Sequence, residues 1–138
     1  MEAAGLRNSV PPDRATYFFS YIFSTIGLAA FVAARPLIEL VGQIPRLPGA
    51  FWLMALLAVL GDARPFTPPG RRQSPAVFPS VCFTFAVLLG YGLGPAVAVQ
   101  CAAVAVSSFR MRHAVWRSVF NMAQYALALF AADIVLRL

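Results

Sequence analysis

This 138-residue sequence contains no lysine and few acidic residues, and its charged residues are few overall. All eleven basic residues are arginine, against five aspartates and glutamates, and charged residues make up 12% of the chain. A water-soluble globular domain carries about 25% charged residues. The sequence also lacks short segments that alternate apolar and polar residues, which excludes a transmembrane β-barrel.

The residues that usually build a catalytic or metal site are equally few. One histidine and two cysteines make no metal-ligand set, and Cys82 and Cys101 both fall inside apolar segments, where free thiols pack like small apolar groups. His113 lies between arginines, whose repulsion favours its neutral form. We find no glycine-rich phosphate loop, no Ser/His/Asp set and no carboxylates paired at helical spacing. The sequence therefore predicts neither an enzyme nor a bound metal or cofactor.

The sequence consists largely of long apolar blocks. Hydrophobic residues account for 60% of it and the mean hydropathy is +0.75. Chains of this kind fold with the bilayer as solvent, where the backbone must satisfy its own hydrogen bonds as helices. The predicted fold class is all-α, a polytopic transmembrane helix bundle with about five spans and one short interfacial helix.

The apolar blocks also set the boundaries of the predicted elements. Residues 1–15 form a tail, and residues 16–138 form the transmembrane domain, with spans at about 17–34, 49–63, 76–91, 95–109 and 118–138. Residues 36–47 are too short and too polar to span, so we expect them to lie at the interface. Val32-Ala33-Ala34 is similar to a signal-peptidase site, which leaves cleavage of the first span as an alternative. Ala98, Ala102 and Ala105 form a small-residue ridge that favours close helix packing.

The arginines predict how the chain is oriented. Eight arginines fall in the tail, in the loop after the second span and in the loop after the fourth, against three on the other side. The positive-inside rule then places the amino terminus in the cytoplasm of a bacterial cell, with the chain in the plasma membrane. Five crossings leave Leu138 outside, which suggests a fragment of a longer protein or a small protein that needs partner helices. The arginines form no stripe with interleaved aromatic residues, so nucleic acid is not an expected partner.

A few polar residues inside the apolar blocks are the candidates for a functional site. Asn121 and Gln124 share one helical face, Arg117 lies a turn earlier and Tyr125 is adjacent. These residues either line a ligand cavity and couple helix movement, or simply hold helices together. Asp62 lies at a membrane edge, where a structural ion pair with Arg64 is the alternative to a recognition role. Asp133, near the end of the last span, is expected at the interface.

Parts of the sequence also resemble a known family. The segments are Ser80-x-x-Phe83-x-Phe85-Ala86-x-Leu88-Leu89, the Gly-Pro turn at 90–95, Phe120-Asn121-x-Ala123-Gln124-Tyr125-Ala126-Leu127, and Gly61-Asp62-Ala63-Arg64-Pro65. Together they resemble the amino-terminal membrane region of actinobacterial signalling proteins that carry GGDEF, EAL or HD-GYP domains and make or degrade cyclic di-GMP. The resemblance covers about residues 49–138. This sequence departs from the family at Ser107-Ser108, where the family often has an aspartate. The family also continues with further spans and a catalytic domain, which this sequence does not include.

The resemblance implies an integral membrane module of sensory or input type, without catalysis by these residues. Its expected partners are the lipid bilayer, further transmembrane helices or an output domain, and a second copy of the chain in a homo-oligomer. Two other functions fit the residues themselves: a small solute-binding membrane subunit of a transporter, with the amides lining a midplane pocket, and a structural membrane protein without a ligand.

Overall fold

A computed structural model describes residues 12–63, 79–112 and 114–138. Most of the predicted tail, the arginine-containing loop after the second span and His113 lie outside the described residues.

The described chain is a bundle of five α-helices with one short 3-10 turn, and it contains no strand. The elements are α1 (Pro12–Gln43), a 3-10 turn (Ile44–Arg46), α2 (Gly49–Ala63), α3 (Ser80–Tyr91), α4 (Leu93–Arg110) and α5 (Val115–Leu136). The predicted all-α class is confirmed.

Three of these helices are long and apolar enough to cross a membrane: Arg14–Arg46, Leu93–Arg110 and Val115–Leu136. Their lengths and compositions are compatible with a membrane protein. The other two helices are apolar but shorter, with 15 residues in α2 and 12 in α3. At 1.5 Å per residue they reach about 22 and about 18 Å, less than the roughly 30 Å of a hydrocarbon core.

Helix α4 lies at the centre of the bundle and packs against all four other helices. Its buried positions include Ala96, Ala103 and Ser107, whose small side chains let neighbouring backbones approach. The predicted ridge does not form the inner face of α4 within the described chain, because Ala102 and Ala105 are exposed and Ala98 is only half-buried. Alanine and valine occur all around this helix, so the small residues alone do not distinguish its inner face.

The predicted interfacial helix over 36–47 is not a separate element, because α1 continues through Pro36 to Gln43. Pro36 costs the helix one backbone hydrogen bond. The side chains of Arg35 and Glu39 bridge that position with a 2.9 Å ion pair, and Leu40 is buried against the bundle. The ion pair joins the turns before and after Pro36, and Leu40 holds the second of them against the bundle, which favours one long helix over two short ones.

A tight turn joins α3 to α4 and fixes how α4 meets α1. Gly92 adopts a φ of +87°, which side chains disfavour. At Gly94 an added Cβ would collide with the backbone carbonyl oxygen of Pro36. The two helices therefore cross in direct backbone contact, and only glycine fits at position 94.

Candidate functional site

Polar side chains are buried together where α2, α3 and α4 meet. Seven polar or charged residues are buried within the described chain, one on α2, two on α3, three on α4 and one on α5: Asp62, Ser80, Thr84, Gln100, Ser107, Ser108 and Ser118. Burying such groups costs free energy unless they are hydrogen-bonded. Among the described residues, no buried side-chain nitrogen or oxygen lacks a partner.

Gln100 is the centre of a hydrogen-bonded set that links α3 to α4. The Thr84 hydroxyl lies 2.6 Å from Oε1 of Gln100 and 2.9 Å from the backbone carbonyl oxygen of Ser80. Nε2 of Gln100 donates to the Ser80 hydroxyl at 3.4 Å. All three residues are at most 2% exposed, so these bonds form away from solvent.

Asp62 extends this set onto α2. Its side chain is 2% exposed, and Oδ1 accepts a 3.3 Å hydrogen bond from the backbone N–H of Ser80. Gly61 permits this approach, because a Cβ there would lie 2.8 Å from Cγ of Pro79. The polar cluster, defined as Asp62, Ser80, Thr84 and Gln100, therefore joins three helices through side chains.

A small cavity of about 50 Å³ opens beside the Asp62 carboxylate. Residues of α2, α4 and α5 and the turn after α4 line it: Asp62, Val104, Ser107, Ser108, Met111, Asn121 and Tyr125. Five of the seven lining side chains carry oxygen atoms. The Ser107 hydroxyl donates to the carbonyl oxygen of Val104 at 3.0 Å, as expected for a serine near a helix end. We call this space the Asp62 cavity.

The structure brings together three of the five residues proposed from the sequence. Asp62, which is buried, Tyr125, which is half-buried, and Asn121, which is exposed, all line the Asp62 cavity. Gln124 is exposed and does not line it. Arg117 is also exposed, with its guanidinium carbon 5.4 Å from the centre of the Trp116 ring. Arg64, the proposed ion-pair partner of Asp62, lies outside the described residues.

Sequence reasoning missed Gln100, Ser80 and Thr84. Gln100 is the only amide in a helix otherwise built mostly of alanine and valine, which is the signal that would have marked it. Ser80 and Thr84 are four residues apart on α3 and share its face toward Gln100. Serine and threonine are common enough in membrane helices that only the packing identifies these two.

A larger groove of about 560 Å³ lies at the opposite end of the bundle. Two ion pairs line it, the exposed pair of Arg35 with Glu39 and the pair of Arg137 with the half-buried Asp133, each between residues four apart in the chain. The ends of α1, α3 and α5 and the start of α4 meet here. Asp133 bonds Arg137 at 2.8 Å in the last turns of α5, at an end of the bundle.

Comparison with protein-family models, curated proteins and solved structures finds no match to this chain. Within the described residues, no group of three or more histidine, cysteine, aspartate or glutamate side chains is placed to hold a metal ion. The Asp62 cavity and the polar cluster next to it are therefore the candidate site on geometry alone.

Proposed function

We propose that the chain is a sensory or input module embedded in the bacterial plasma membrane. The observation that carries this proposal is the polar cluster with the adjoining Asp62 cavity, which together contact α2, α3, α4 and α5. A ligand or a membrane change acting there would reach four helices at once. The link to cyclic di-GMP signalling rests on the resemblance over residues 49–138.

The polar cluster has the chemistry of a two-state element. The Thr84 hydroxyl carries one proton but faces two acceptors, the Ser80 carbonyl oxygen and Oε1 of Gln100. When the Thr84 hydroxyl donates to the Ser80 carbonyl oxygen, its own oxygen can accept a hydrogen bond from the side-chain amide of a reoriented Gln100. A stimulus that favours one arrangement shifts the packing of α3 against α4, and an attached output domain would respond to that shift.

Substitution of Asn121 tests this proposal. We would attach one inert transmembrane helix and a diguanylate cyclase domain after Leu138, so that the cyclase faces the cytoplasm. Asn121→Leu removes a polar wall of the Asp62 cavity, and we expect cellular cyclic di-GMP to change by about fivefold or more, which corresponds to a coupling of about 1 kcal/mol.

Gln124→Leu is the matched control, because it makes a similar chemical change on the same helix outside the cavity. We expect it to leave cyclic di-GMP at the parent level. Equal cyclic di-GMP in the parent and both variants, at equal amounts of folded protein in the membrane, would contradict the proposed role of the cavity.

The proposed orientation places the amino terminus in the cytoplasm. Arg14, Arg110, Arg112 and Arg117 lie at the cavity end of the bundle, whereas Arg35, Arg46 and Arg137 lie toward the groove end. The positive-inside rule then assigns the cavity end to the cytoplasm. We expect alkaline phosphatase fused after Leu138 to be active and green fluorescent protein fused there to be dark. The reverse pair of results would mean that Leu138 is cytoplasmic.

A further inference from the structure

The buried carboxylate of Asp62 poses an electrostatic problem. A carboxylate removed from solvent inside an apolar bundle is costly unless it is protonated or a counter-charge accompanies it. The described residues form two ion pairs, and both lie at the groove end, far from Asp62. The backbone N–H of Ser80, 3.3 Å from Oδ1, is a neutral donor and does not balance a full charge.

Five of the residues that line the cavity beside this carboxylate carry side-chain oxygen atoms. Besides Asp62, the lining residues Ser107, Ser108 and Tyr125 carry hydroxyls and Asn121 carries an amide. The Ser107 proton is directed to the Val104 carbonyl oxygen, which leaves the lone pairs of its own oxygen available. Carboxylate, hydroxyl and amide oxygens suit ions that prefer oxygen over nitrogen or sulfur.

The size and charge of the cavity select a small ion. Its volume of about 50 Å³ accommodates one small ion together with one water molecule, which occupies about 30 Å³ in the liquid. Divalent Ca²⁺ is usually held by several carboxylates, and Mg²⁺ requires six ligands in near-ideal octahedral geometry. Asp62 is the one carboxylate among the residues that line this cavity, so a single positive charge neutralises it.

We propose that the Asp62 cavity binds one alkali-metal cation, Na⁺ or K⁺, coordinated by the Asp62 carboxylate with hydroxyl and amide oxygens from α4 and α5. The inference deepens the proposed function by naming the ligand class of its site. A bound cation would hold the end of α2 against α4 and α5, and its release would free that end to move.

Equilibrium binding to the full chain in lipid nanodiscs tests the proposal directly. The probes are radioactive Na⁺ and radioactive Rb⁺, the latter standing for K⁺, in a buffer whose only other cation is N-methylglucamine. We expect close to one ion per chain for at least one probe. Binding by one probe alone supports the proposal and identifies the ion.

Three cavity variants and one control variant identify the site. Asp62→Asn preserves shape while removing the charge, and we expect at least a tenfold loss of affinity. Asp133→Asn removes a carboxylate at the opposite end of the bundle and should bind as the parent does. Asn121→Ala and Ser108→Ala should each weaken binding severalfold, and they keep the test valid if Asp62→Asn fails to fold. Absence of binding by the parent, or unchanged affinity in all three cavity variants, would overturn the proposal.

Arg64→Gln tests a competing counter-charge from outside the described residues. Binding by the parent that persists in Arg64→Gln supports the cation site. Binding that appears only in Arg64→Gln would show that Arg64 neutralises Asp62, and the proposal would fail. Since these measurements use no output domain, loss of ion binding and loss of cyclase control remain separate results.

Discussion

Gly94→Ala is expected to destabilise the bundle by about 1 to 3 kcal/mol, the range for extra atoms forced into a closely packed site. The new Cβ would meet the backbone carbonyl oxygen of Pro36, which no side-chain rotation can move aside. Relief requires α1 to shift away from the start of α4. That shift would separate α1 from the helix at the centre of the bundle.

Gly90→Ala provides the matched control, since Gly90 lies four residues earlier in the chain and near the same end of the bundle. A Cβ at Gly90 meets nothing within 4 Å. Alanine in a helix is favoured over glycine by roughly 0.5 to 1 kcal/mol, so we expect Gly90→Ala to be neutral or slightly stabilising. Reversible unfolding in mixed detergent micelles, followed by circular dichroism, gives both values. Equal stability of the two variants would mean that α1 does not make this backbone contact.

The sequence was sufficient to predict the helices because hydropathy and helix breakers both mark their limits. The predicted span over 49–63 coincides with α2, since prolines precede it and an acidic residue lies near its end. The continuity of α1 was not predictable from Pro36 alone. A proline inside an apolar helix is tolerated or not according to the contacts around it, and here Pro36 lies in close backbone contact with Gly94 of α4.

There is a physical reason why the sequence does not show which face of α4 points inward. In a water-soluble helix the polar residues mark the outer face, but a helix with the composition of a membrane span, such as α4, is apolar on both sides. Ala98, Ala102 and Ala103 therefore look alike in the sequence, although only Ala103 is buried. Polar residues are the exception, because a lone amide in such a helix must find a partner. Gln100 is such an amide, but the prediction from the sequence named Asn121 and Asp62 and did not include Gln100.

Gln100→Leu is expected to destabilise the bundle by about 1 to 3 kcal/mol, the range for a buried polar group that loses its hydrogen-bond partner. Leucine has a similar volume, so the cost comes from the lost bonds and not from a cavity. The Thr84 hydroxyl keeps the Ser80 carbonyl oxygen as a partner, which limits the loss, but the Ser80 hydroxyl loses its bond from Nε2. The measurement is the same detergent unfolding experiment.

Two comparisons make this prediction specific. Gln124→Leu removes an exposed amide and should change stability by less than about 0.5 kcal/mol. Thr84→Val combined with Gln100→Leu should cost less than the sum of the two single changes, by about 1 kcal/mol, because the 2.6 Å bond joins the two side chains and is lost only once. Strict additivity would mean that Thr84 and Gln100 act independently, and the two-state arrangement proposed for the polar cluster would then lack its central bond.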